Sequence, residues 1–103
     1  MLPTWIETSD FEIGITPTAV DRFNTIIKER NLNRSFTLIR IYQRDDTQAC
    51  VGLDHITDGI KHLYDQFRLV DKDLHMVVDE RVMDNFLGKE LDYDVAEDCF
   101  ILR

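Results

Sequence analysis

The chain has 103 residues, a length that fits one domain, 1–103, built around a single modest core. Lys and Arg total 12 against 20 Asp and Glu, giving a formal net charge of -8 that opposes broad contact with nucleic-acid phosphates or an anionic membrane surface. Hydrophobic residues make up 44%, so a packed domain is expected rather than disorder, and no apolar run reaches the roughly 18 residues of a membrane-spanning helix.

Met1 to Glu12 lacks the basic start and apolar centre of a secretory leader. Cys50 and Cys99 are too few for the disulfide framework of a small secreted domain. The expectation is a cytoplasmic protein with reduced thiols.

Ile15-Thr16-Pro17-Thr18 opens the first clear element, because Thr16 suits an N-cap and Pro17 the first helical position. Val20, Phe23 and Ile27 follow at helical spacing, with Lys28 and Arg30 near the end, where cations suit the helix dipole. This predicts a helix over 17–30, ending near Asn31. Phe36 to Tyr42 reads as a strand with apolar residues on both faces.

The polar stretch Gln43 to Gln48 predicts a loop, and Cys50 to Asp58 a second extended segment broken at Asp58-Gly59. Ile60 to Gln66 fits either a helical turn or a loop. Phe67 to Val70 and Leu74 to Val78 flank Asp71-Lys72-Asp73 as a hairpin. Asp79 is placed to cap a short second helix carrying Val82, Met83 and Phe86, with Gly88 as its stop. Leu91 to Val95 and Cys99 to Leu102 complete the chain as strands. Many strands with two helices argue for an α+β fold rather than a doubly wound sheet.

Enzyme motifs are missing. No serine or cysteine stands in a nucleophile elbow, and no glycine-rich loop precedes a helix to hold phosphate. Asp45-Asp46 and Asp71 with Asp73 read as solvated turns, and Asp71-Lys72-Asp73 lacks the glycine and distal glutamate of a Ca²⁺ loop. His55, His62 and His75 share no ligand spacing, and an extended strand from Cys50 to His55 would hold those two about 16 Å apart. All three histidines read as surface or half-buried side chains.

The order of elements and several local signatures resemble the HesB-like family, the A-type proteins of iron-sulfur cluster biogenesis, from Ile13 to Leu102. The matching pieces are Ile15-Thr16-Pro17-Thr18-Ala19, the strand Leu38 to Tyr42, Cys50-Val51-Gly52-Leu53 where the family has Cys-Ser-Gly and an aromatic, Val77-Val78-Asp79, and Leu87-Gly88 followed by Leu91-Asp92-Tyr93. The resemblance implies a strand-rich pseudobarrel of two small mixed sheets with two helices, a tendency to form a homodimer, and iron-sulfur assembly or recipient proteins as partners. It also implies an iron or cluster carrier rather than an enzyme, with Cys50 as the cofactor-binding thiol.

Departures from the pattern are as informative. Family members offer two further thiols in a C-terminal Cys-Gly-Cys that has no counterpart in this sequence, and Gln48-Ala49 stand where glycines usually precede the first thiol. A cluster takes soft, deprotonated ligands, commonly four thiolates. Two chains would count two Cys50 and two Cys99, which makes both residues candidate metal ligands. Against that, Asp45, Asp46, Asp54 and Asp98 surround the thiols with negative charge, and Cys99, flanked by Phe100 and Ile101 on a strand, reads as core. Two readings therefore stand: a carrier of iron or an iron-sulfur cluster, and a degenerate paralogue that binds a protein partner or small ligand and no cofactor.

Overall fold

The computed structural model describes residues 11–43, 49–56, 64–72 and 74–103. The order is β1 (Gly14–Ile15), α1 (Pro17–Glu29), a 3-10 turn (Arg34–Phe36), β2 (Thr37–Gln43), β3 (Ala49–His55), β4 (Asp65–Asp71), β5 (Leu74–Asp79), a second 3-10 turn (Met83–Asn85), β6 (Glu90–Asp94) and β7 (Cys99–Leu102). They form a four-stranded sheet, β3-β2-β5-β4, and a three-stranded sheet, β1-β6-β7. Both are mixed: β2 pairs parallel to β5 and β1 parallel to β6, and the remaining pairs are antiparallel. The expected α+β architecture of two small mixed sheets is the one observed.

Helix α1 begins as its sequence dictates. The Thr16 hydroxyl accepts from the Ala19 amide at 3.2 Å, and Pro17 occupies the first helical position, where no amide partner is needed. At the other end Asn31 takes a left-handed φ of 52°, and the Leu32 amide reaches back to the Ile27 carbonyl at 3.0 Å. The buried stripe is Ala19, Phe23 and Ile27, so Ala19 takes the place expected of Val20. This stripe packs with Ile39 and Ile41 of β2, Leu74, Met76 and Val78 of β5, and Leu91 of β6 into the main core.

Alternation along β2 sends Leu38 to the opposite face. There it joins Phe67, Val77 and Ile56 in a second, smaller cluster, with Phe36 packed against it. The apolar character read on both faces of this strand thus serves two cores.

Three expectations change. The segment after β5 forms a single 3-10 turn, so the described residues contain one α-helix. Asp79 ends β5 and its carboxylate accepts from the Arg81 amide at 2.9 Å instead of capping a helix. The physical reason is burial: in that turn Phe86 is buried while Met83 and Val82 are only partly so, and one anchor makes no helical stripe. Secondly, Asp65 and Gln66 open β4 instead of closing a turn; Ile60–Leu63 lie outside the described residues. Thirdly, β1 is a two-residue strand that no periodicity foretells. The hairpin turn is present, with Lys72 at φ 51°, although Asp73 is outside the described residues.

Asp92 fastens the two ends of the described chain to β6. One carboxylate oxygen accepts from the Thr16 hydroxyl at 2.7 Å and the other from the Arg103 guanidinium at 2.6 Å. Replacing Asp92 by alanine is expected to lower the unfolding free energy by about 1–2 kcal/mol, the loss of a charge-assisted bond to the residue that caps α1. Urea denaturation of the two proteins measures it. A loss under a few tenths of a kcal/mol would mean that the carboxylate fastens nothing.

Candidate functional site

Cys50 is the second residue of β3, one residue after the 44–48 segment, which contains Asp45 and Asp46 and lies outside the described residues. Its place follows from alternation: Val51 and Leu53 pack against the main core, so Cys50, Gly52 and Asp54 point to the other face of the sheet. On that face the strand register sets Cys50 opposite Tyr42, Gly52 opposite Arg40 and Asp54 opposite Leu38. The thiol is free and half-buried.

Next to this row is a charge network. Arg40 donates to Asp54 Oδ2 at 2.6 Å and, two-pronged, to both oxygens of Asp65 at 3.1 and 2.9 Å. These bonds, that to Asp65 foremost, hold the guanidinium well above its usual pKa. Arg40, opposite Gly52 on this face, is thus already committed to two carboxylates. At the end of β5 Arg81 donates to both oxygens of Asp79, at 3.0 and 2.6 Å, and stands 4.0 Å from the centre of the Tyr64 ring. The Arg81 bond pushes the Asp79 carboxyl below the usual carboxylate range.

Cys99 is elsewhere. It begins β7, opposite Asp94, in the three-stranded sheet, and it is exposed. The expectation that it belongs to the core is corrected: Phe100 turns inward, stacking on Phe23 with ring centres 4.1 Å apart, and alternation sends Cys99 outward. Asp98, at φ 51°, precedes it and binds the Tyr93 hydroxyl. Strands β3 and β7, the outer strands of their sheets, run near each other.

The histidines divide. His55 is exposed at the far end of β3 from Cys50, whereas His75 is buried on β5 between Leu38 and Leu69, against expectation. The local sequence around His75 carries no sign of this, because its cover comes from neighbouring strands. His62 is outside the described residues.

Among the described residues no three His, Cys, Asp or Glu side chains gather as a metal site. A single copy of the chain offers an incoming metal one thiol on the β3 face and another on a different sheet. No helix among the described residues is long and apolar enough to cross a membrane.

The fold is shared with solved structures. A protein from Aquifex aeolicus, determined by solution NMR, superposes with a TM-score of 0.69 and 23% identity, covering 94% of this chain and 95% of that one. SufA from Escherichia coli, involved in biosynthesis of iron-sulfur clusters, gives 0.63 and 13% over 92% of this chain and 88% of its own. IscA, solved with a 2Fe-2S cluster, gives 0.57 and 12% over 88% and 83%. No family model matches the chain, and no curated protein matches it by sequence. The likeness is one of fold, and it is the HesB-like fold that the order of sequence signatures implied.

Proposed function

We propose that this chain is a carrier or scaffold in iron-sulfur cluster biogenesis that presents Cys50 as its ligand to iron or a cluster. The observation that carries the reading is a free, half-buried thiol at the start of β3, in a fold shared with SufA and with cluster-loaded IscA. Cys50 would act as a thiolate, the soft donor that iron in a cluster prefers. One thiol falls short of the usual four, so further donors come from a second copy of the chain or from a small-molecule thiol. Iron-sulfur assembly or recipient proteins are the partners such a carrier serves, and the role requires no catalytic residue.

The donor count also favours a second reading. With no metal-ligand group among the described residues, the scaffold would serve equally as a module that binds a protein partner or small ligand without a cluster. One experiment divides the two. Anaerobic reconstitution with ferrous iron and sulfide is expected to give a brown protein whose iron content drops to background in Cys50→Ser. Cys99→Ser is expected to reduce uptake only if the second thiol reaches a shared site between two copies. Wild-type iron content no higher than that of the double variant leaves the second reading in possession.

A further inference from the structure

Tyr42 occupies an unusual position. It ends the outward row of β2, directly opposite Cys50, where paired side chains of an antiparallel ladder have Cβ atoms about 4.5–5.5 Å apart. Its ring leans across onto the neighbouring glycine: Cε1 lies 4.0 Å from where a Cβ on Gly52 would stand. An aromatic ring laid over a glycine on an outer strand fills the space that the missing side chain leaves.

That arrangement has a consequence for the thiol. Gly52 is the residue after Cys50 on the same strand face, and it offers no cover. Asp54, the next one, is drawn to Arg40. Tyr42, opposite Cys50 in the register, is a large side chain placed beside the thiol on this face. Cys50 is half-buried while Tyr42 itself is 44% exposed, as expected of a ring with one side against the sheet and the other in water.

We infer that Tyr42 controls access to the Cys50 thiol, its ring narrowing the approach so that small reagents and single ions reach the sulfur more readily than bulky ones. Tyr42 is a positioning residue in this role, with no ligand function of its own. The inference adds to the carrier reading but does not rest on it, because access to a thiol is measurable with no iron present.

The test compares alkylation of Cys50 in wild type, Tyr42→Ala, Tyr42→Val and Tyr42→Phe, each in a Cys99→Ser background, using iodoacetamide as the small reagent and a bulky N-substituted maleimide as the large one. Tyr42→Ala and Tyr42→Val are expected to raise the maleimide rate severalfold and the iodoacetamide rate less, while Tyr42→Phe stays at the wild-type rates. Thermal melts identify any variant that has loosened generally, and Tyr42→Val, which keeps a strand-forming side chain, remains informative if the alanine variant melts low. Unchanged rates in both small variants, or an equal rise with both reagents, would overturn the inference. So would a Tyr42→Phe protein that reacts as fast as Tyr42→Ala. Failure of iron uptake in the reconstitution above touches the carrier reading alone.

Discussion

Phe23→Ala is expected to cost about 3–5 kcal/mol of unfolding free energy, a large share of the roughly 5–15 kcal/mol that holds an ordinary domain folded. Phe23 is 1% exposed on the inward stripe of α1, and its ring stacks on Phe100. Phe100 in turn meets Tyr93 with ring centres 5.0 Å apart. One truncation thus removes a ring stack between the helix and the three-stranded sheet as well as opening a cavity in the main core. Urea denaturation followed by circular dichroism gives the number. A loss below about 1.5 kcal/mol would show that the surroundings close over the site, at the low end of what large-to-small core changes do.

Leu38→Ala is expected to cost about 2–5 kcal/mol, although Leu38 is on the face of the four-stranded sheet that points away from α1. A sheet with one covered face ordinarily leaves the other polar, yet Leu38 is 0% exposed and shares its cluster with Ile56, Phe67 and Val77. Leu69 gives the control. It lies in the same row across His75 but is 52% exposed, so Leu69→Ala should shift stability by no more than about 0.5 kcal/mol. Equal costs for the two changes would sink the claim that this face carries a core of its own.

What the sequence revealed depended on how far each signal reached. Thr16-Pro17 and Asn31 bracket α1 because capping is settled within a few residues. The strand from Phe36 to Tyr42 was legible, its two apolar faces included, since alternation is a property of the strand alone. Arg40 was not: its partners Asp54 and Asp65 are 14 and 25 residues away, and only the strand order brings them together. Cys99 was misread for a related reason. The apolar neighbours Phe100 and Ile101 suggested burial, whereas the parity of β7 decides it, and parity is fixed only once Phe100 has docked on Phe23. For the site, Cys50-Val51-Gly52 pointed to the right strand, while Tyr42, the residue opposite the thiol, comes from the neighbouring strand and is placed only by the register.

Strand β6 accepts β1 on one side and β7 on the other, so the smaller sheet is stitched from the two extremes of the described chain. Thr16 and Asp92, which bond across it, are separated by 76 residues. Drawing such distant segments together costs loop-closure entropy before any contact repays it, whereas the β2–β3 and β4–β5 pairs join neighbours in the chain. The β6–β7 pair, which carries Cys99, is local as well; the long-range closures are the parallel β1–β6 pair of the smaller sheet and the parallel β2–β5 pair of the larger. Each thiol thus belongs to a pair of chain neighbours, and each sheet is completed by one parallel pair between distant segments.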